Sequence, residues 1–382
     1  MIVRHPFSAL AGAVLAAALS LAAAGAGAIE TAAQQAFIVD FQTGAVLLEK
    51  NADEPIHPAS MSKLMTLYLL FERLKAGRVS LDDTFPVSEK AWALNEGSTM
   101  FVGIDTQISV LDLIRGVIVQ SGNDACLVIA EGLAGSEEAF AELMNERGRE
   151  IGLTASHFVN SHGLEDPNHK MTARDLATLA TRIIADFPEY YHYFAEKEFV
   201  FNGIKQGNRN PLLYRNIGAD GLKTGHLSVS GYGIAASAER DGRRIILVAH
   251  GMGGMQSRAD ETTNLIEWAF REFDNYQLVK AGDVLDEAPV WYGQAETVPL
   301  TVAADLTVTL PRNARKDVRA KAVFDGPIPA PIEAGQEIGK LVISAPDVAD
   351  TEVPLVAGAA VERLGAFGRI VAAVTYLLGG GA

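Results

Sequence analysis

The sequence has a single cysteine in 382 residues. One thiol excludes an intramolecular disulfide framework and any CxxC metal or redox site. Positive charge is also scarce: 32 Lys and Arg stand against 47 Asp and Glu, a net charge of −15. Phosphate contacts need clustered cations, so this balance argues against a nucleic-acid-binding surface. The 36 glycines and 15 prolines follow no collagen-like period. There is no internal repeat, and no low-complexity tract beyond the first 28 residues. His157, His162, His169 and His192 lack HExxH or paired-ligand spacing, so neither a metal nor a cofactor is expected. What remains is globular: 48% hydrophobic and 21% charged residues exclude wholesale disorder. The length suits two or three domains.

The apolar residues crowd the two ends. Arg4 and His5 precede an uncharged run from Phe7 to Ala24, and Ala26-Gly27-Ala28 is an A-x-A cleavage pattern. Residues 1–28 therefore read as a secretory signal, with an uncleaved anchor as the rival. At the other end, Leu364, Phe367, Ile370, Val371, Val374, Leu377 and Leu378 recur at spacings of three and four. This predicts an amphipathic helix over 355–378 and a membrane-associating tail over 354–382. A spanning helix is disfavoured by Glu362, Arg363 and Arg369, and a helix packed on its own domain is the third option.

Between the ends, β-prone runs at 36–40 and 45–49 flank Gly44 and read as a hairpin. Helical periodicity follows at 60–75, 109–119, 137–151 and 172–184, making 85–190 helix-rich. Strands return after 195. Ile245-Ile246-Leu247-Val248-Ala249 suits a central strand, and Asp241-Gly242 signals a two-residue hairpin before it. Thr262 to Phe273 reads as an amphipathic helix. From 276 to 353 short β runs and frequent turn residues predict a small all-β domain. Cys126 opens an apolar run and reads as a buried helix thiol rather than a nucleophile. Glu137, Glu138, Glu142 and Glu146 read as a solvated helix face.

Three short motifs carry the chemistry. Ser60-Met61-Ser62-Lys63 opens a predicted helix, and a spacing of three puts Ser60 and Lys63 on one face. Serine needs a base within hydrogen-bond reach, and a lysine serves if desolvation or nearby cations lower its pKa. The Ser60 N–H is a candidate oxyanion donor. Ser121-Gly122-Asn123 adds a hydroxyl for proton relay and an amide for a substrate carbonyl. Lys223-Thr224-Gly225 adds a cation and a hydroxyl for a carboxylate, with a glycine that allows close backbone approach. Each motif alone is weak: each also fits an ordinary helix cap or turn.

Together, the ordered set Ser-x-x-Lys, Ser-x-Asn, Lys-Thr-Gly resembles the signature of penicillin-binding proteins and serine β-lactamases. The stretches 58–66, 120–125 and 220–226 are similar to the exported D-alanyl-D-alanine carboxypeptidases, the low-molecular-mass penicillin-binding proteins of peptidase family S11. His162-Gly163-Leu164, Thr172-Ala173-Arg174-Asp175 and Gln206-Gly207-Asn208-Arg209-Asn210 resemble the same family.

That resemblance implies an α/β (α+β) fold of the β-lactamase/transpeptidase type. An antiparallel sheet flanked by helices, with a helical subdomain, would span 29–275, followed by the all-β domain. It implies catalytic roles for Ser60, Lys63, Ser121 and Asn123, and substrate contacts from Lys223, Thr224, Gly225, His226 and Arg258. Leu227-Ser228-Val229-Ser230 departs from the family pattern, where a Thr is common, and bears on fine preference. The implied partners are a peptidoglycan stem peptide ending in D-Ala-D-Ala, β-lactams as covalent inhibitors, and a membrane surface met by the tail. The implied location is periplasmic, at the outer face of the bacterial inner membrane. A β-lactamase or esterase on the same scaffold, and a catalytically idle wall-binding module, are the rival readings.

Overall fold

A computed structural model describes residues 29–345 and 348–371. The signal reading over 1–28 and the tail beyond 371 lie outside the described residues.

Five strands make the central sheet: β1 (Gln35–Asp40), β2 (Val46–Lys50), β3 (Ala219–Leu227), β4 (Gly231–Arg240) and β5 (Arg243–Met252). Their order is β2-β1-β5-β4-β3, and every neighbour is antiparallel. Strand side chains alternate between faces, so the continuous apolar run in β5 requires cover on both. It has it. Ile246 and Val248 join the core shared with α1 (Lys63–Lys75), α2 (Asn123–Ala134), α3 (Glu137–Glu150) and α4 (Ala173–Asp186). Ile245, Leu247 and Ala249 join the opposite core, closed by Leu265, Ile266, Trp268 and Ala269 of α5 (Met255–Glu272). Asp241 and Gly242, both at positive φ, close the tight β4–β5 turn.

The periodicity at 109–119 does not give one regular helix. An α-helix over Val110–Arg115 slips into a π-helical turn over Gly116–Gln120, and Ser121 emerges left-handed with φ 58°. Gly116 opens that turn where the chain passes close to Met100: a Cβ there would lie 2.4 Å from Met100 Sδ.

The remaining strands are β6 (Phe273–Val279), β7 (Asp286–Trp291), β8 (Thr297–Thr301), β9 (Leu306–Pro311), β10 (Arg319–Phe324), β11 (Glu337–Ala345) and β12 (Val348–Ala357). β6 pairs with β9, and the others form a sheet in the order β10-β11-β12-β8-β7, edged by Ile328–Pro329. This corrects the helix expected from Leu355. Leu355 pairs with Gly339 in β12 and is fully buried, as are Ala357 and Val361 nearly so, because they complete the β core. The helix begins only at 366. Among the described residues, no helix is long and apolar enough to cross a membrane.

A buried polar clamp joins the two units. Arg243 Nε donates to Asp40 Oδ2 at 2.8 Å and Nη1 to the Phe273 carbonyl at 2.6 Å. Asn275 Nδ2 donates to Asp40 Oδ1 at 3.1 Å, and Thr309 Oγ1 donates to Asn275 Oδ1 at 2.7 Å. Phe273, the first residue of β6, packs edge-on against Trp268 in the core beneath α5. Removing one partner of a buried pair strands the other charge, so Asp40→Ala is expected to lower unfolding free energy by about 3–5 kcal/mol. Denaturant titration checks this, and a loss below about 1 kcal/mol would place the pair in the weak surface class.

Candidate active site

The site lies where the N-terminal turn before α1, the start of α2 and the edge strand β3 converge. Ser60 sits in a 3-10 turn over Ala59–Ser62 that leads directly into α1. Two close approaches seat this turn. A Cβ at Gly225 would lie 2.7 Å from the Pro58 carbonyl oxygen, and one at Gly163 would lie 2.1 Å from that of Ala59. Glycine is thus required on the strand side and on the loop beneath, and at Gly163 a φ of +82° requires it again.

Lys63 is fully buried, while Ser60 is part-exposed. Lys63 Nζ donates to Ser60 Oγ at 2.8 Å, to Asn123 Oδ1 at 2.7 Å, and to the His162 carbonyl. Burial above all lowers its pKa to about 8; Cys126 and Asp124 oppose the shift, and Arg209 contributes to it. The geometry then assigns the proton. A neutral amine has two hydrogens and one lone pair. Asn123 Oδ1 and the His162 carbonyl accept only, so they take the two hydrogens and leave the lone pair for the Ser60 hydroxyl.

On the other wall, Lys223 Nζ donates to Ser121 Oγ at 2.9 Å and to its neighbour's carbonyl on Thr224 at 3.2 Å. Burial lowers its pKa well below the usual range, helped by Lys63 and Arg209. The left-handed backbone at Ser121 turns this hydroxyl away from the π turn toward β3. Asn123 is held by its Nδ2, which donates to the Glu96 carbonyl at 2.8 Å. Asp124 accepts from the Met100, Val102 and Ala125 amides and so anchors the 98–102 loop. β3 is the sheet's outer strand, so its free edge offers backbone partners to an extended peptide.

Nine residues were expected in the site. Ser60, Lys63 and Asn123 form one bonded set, and Ser121 with Lys223 a second. Thr224 and Gly225 follow on β3, both buried. His226 and Arg258 lie apart from these sets, and both meet the Tyr232 ring. The His226 ring stacks on it at 4.0 Å, and the Arg258 guanidinium lies 5.6 Å from its centroid. Arg258 Nε is buried without a hydrogen-bond partner, a free donor in a polar wall.

Three contributors escaped sequence reading. The His162 carbonyl is a backbone group with no side-chain signature. Arg209 lies in a quoted stretch without an assigned role, yet its charge acts on both lysines. Beside it, a cavity of about 490 Å³ is lined by Trp92, Gly97, Ser98, Gln206 and Arg209. Glu137, read as part of a solvated face, is instead 12% exposed and faces His162, whereas Glu138 is 77% exposed. Cys126 is buried, and burial pushes its thiol up to about 12.

A family model described as D-alanyl-D-alanine carboxypeptidase matches residues 22–253, and one described as penicillin-binding protein 5, C-terminal domain, matches 273–363. The D-alanyl-D-alanine carboxypeptidase DacA of Haemophilus influenzae is 38% identical over 88% of this chain and 87% of its own length. DacC of Escherichia coli is 39% identical over 87% and 85%. Among solved structures, penicillin-binding protein 5 of Haemophilus influenzae superposes with a TM-score of 0.82 at 38% identity, covering 89% of this chain and all of that one. Penicillin-binding protein D2 of Listeria monocytogenes, solved with ampicillin bound, matches 64% of this chain and 99% of its own at 28% identity, with a TM-score of 0.58.

Proposed function

The chain belongs to the D-alanyl-D-alanine carboxypeptidase family S11, and from that premise we propose that it is a serine DD-carboxypeptidase whose nucleophile is Ser60. The observation that carries this reading is the bonded set Ser60–Lys63–Asn123, with a lysine whose pKa burial has brought to about 8.

In the proposed reaction, a stem peptide lies along the edge of β3. Its terminal carboxylate meets Lys223 and Thr224, with Arg258 behind them, which is why the last residue is the one removed. A bound carboxylate also restores the charge that burial withdraws from Lys223. Lys63 takes the Ser60 proton as Oγ attacks the carbonyl between the two D-alanines, and the Ser60 N–H faces the developing oxyanion. The C–N bond then breaks. Lys63 gives up the proton it took from Ser60 to the leaving amine by relay through Ser121, which Lys223 holds at 2.9 Å, and is neutral again. Water, deprotonated by Lys63, cleaves the ester and returns the proton to Ser60. A β-lactam presents a similar carbonyl and carboxylate and is expected to stop at the acyl-enzyme.

The location that goes with this substrate is outside the cytoplasmic membrane. Its support is the leader pattern over 1–28. Attachment to the outer face of that membrane is proposed through the tail, whose first described turn, 366–371, exposes Phe367 and Ile370.

Mass spectrometry of a diacetyl-L-Lys-D-Ala-D-Ala digest tests the activity. Release of one D-alanine per peptide is the expected result. An intact peptide after prolonged incubation with folded, unlabelled protein, a separate sample of which takes up penicillin, would reject the carboxypeptidase reading, and rapid turnover of penicillin alone would favour a β-lactamase.

A further inference from the structure

Glu137 lies outside the three motifs, yet it is bonded to Ser161 and to the ring of His162, the residue whose backbone carbonyl accepts from Lys63. It is the first residue of α3, where the helix N-terminus favours a carboxylate. Its Oε1 accepts from the Ser161 N–H at 3.1 Å, from the Ser161 hydroxyl at 2.8 Å and from His162 Nε2 at 3.2 Å. Its Oε2 faces Lys90 Nζ at 3.4 Å. His162 Nδ1 accepts from the Leu164 N–H at 3.2 Å, so the ring proton resides on Nε2 and points at Glu137. The imidazole is thereby held at both nitrogens.

The rest of the segment is tied from other sides. Asn160 Oδ1 accepts from the His162 N–H at 3.3 Å and the Gly163 N–H at 2.7 Å. Thr66 Oγ1 of α1 donates to the Ser161 carbonyl at 2.6 Å. What this braced segment turns inward is the His162 carbonyl, which accepts from Lys63 Nζ.

We infer that Glu137 is a positioning residue for the catalytic base: by gripping Ser161 and the His162 ring, it holds the His162 carbonyl against Lys63 and so keeps the amine lone pair on Ser60. This rests on the DD-carboxypeptidase reading and adds a residue to it. Burial alone would push the Glu137 carboxyl up, but the His162 ring and the Ser161 donors outweigh it and hold it down to about 2. Glu137 is therefore an anion across the working pH range, and it does not itself titrate there. The groups that bear on the Lys63 charge are Cys126 and Asp124 of α2 and Arg209 on the cleft wall, with Lys223 of β3 coupled to it across the cleft.

The test is penicillin acylation of the full chain against pH, with thermal unfolding measured alongside. A neutral Lys63 and an ammonium both donate to the His162 carbonyl, but the ammonium bond is the stronger. Loosening that carbonyl therefore costs the ammonium more and lowers the Lys63 pKa. Glu137→Ala is expected to acylate at least ten-fold more slowly at pH 9, with the midpoint of the rise in rate displaced below about 8. Glu137→Gln keeps one oxygen for Ser161 and His162 and is expected to recover most of the rate and the midpoint. An unchanged rate in folded Glu137→Ala overturns the inference. So does a slower rate with an unmoved midpoint, which is what packing loss alone would give. If Glu137→Ala does not fold, His162→Ala replaces it: the backbone carbonyl stays, the grip is lost, and the same displacement is expected. Failure of the unaltered chain to acylate would instead reject the serine mechanism on which this builds.

Discussion

Ser60→Ala takes up no fluorescent penicillin and releases no D-alanine, while Lys63→Ala keeps its serine yet acylates at least about 10³-fold more slowly. The two losses differ in kind. Without Ser60 there is no oxygen to esterify. Without Lys63 the oxygen remains, but no group within hydrogen-bond reach takes its proton. Asn123 presents its Oδ1 to Lys63 and its Nδ2 to the Glu96 carbonyl, and neither atom is a base. The pH profile of the unaltered chain separates Lys63 from a general electrostatic role. Its pKa lies at about 8, and the base form is the deprotonated one. Acylation therefore rises as pH increases through 8 and levels above it. At pH 6 only about one molecule in a hundred carries the free amine. Stopped-flow labelling measures both limbs. A flat profile from pH 6 to 9, or labelling of Ser60→Ala, would defeat the assignment.

The second large effect comes from a residue with no functional group. Gly163→Ala places a Cβ 2.1 Å from the Ala59 carbonyl oxygen, on a backbone with φ +82°. Left-handed strain and overpacking each cost about 1–3 kcal/mol, and here they fall on the same atom. The neighbour that must yield is rigid backbone, the residue immediately before Ser60. Relief by movement therefore displaces the nucleophile. The expected outcome is a loss of about 2–6 kcal/mol in unfolding free energy, with acylation down by about 10²-fold or more in whatever remains folded. Gly152→Ala is the matched control. Its φ is +93° but a Cβ there meets nothing within 4 Å, so it pays strain without displacing the site. It should acylate like the unaltered chain. Equal acylation by both variants would show that the nucleophile turn does not depend on close contact with Gly163.

What could be read from the chain before its fold was known follows from the kind of group involved. The roles proposed for Ser60, Lys63, Ser121, Asn123 and Lys223 are side-chain roles, and such chemistry needs those residue types at those spacings. The run Ile245 to Ala249 was readable because a strand buried on both faces needs apolar residues at every position. The His162 carbonyl was not, since any residue supplies a carbonyl and only tertiary contact says which one meets Lys63. Glu137 was misread because Glu138, Glu142 and Glu146 surround it with the charge pattern of a solvated face, and one inward member does not alter that pattern. The π turn over Gly116–Gln120 keeps the apolar pattern of an α-helix, so the helical period does not reveal it. At the C-terminal end, the spacing of Leu364 to Leu378 was carried back too far. Leu355, Ala357 and Val361 suit a strand and a helix alike, and the demand of the β core decides for the strand.

The clamp around Asp40 bears on where this chain can be divided or recombined. Phe273 belongs to a strand of the second unit by its pairing with Pro311, and to the first unit by its side chain and by its carbonyl on Arg243. A protein trimmed at 272 would lose a ring from beneath α5 and bare a guanidinium. A chimera that exchanges the β unit at that point would set a foreign residue into the catalytic core. Residues 273–275 should therefore travel with the catalytic half in any such splice, although their strand closes the other half. The seam runs through side chains of a single strand rather than between two residues of the backbone.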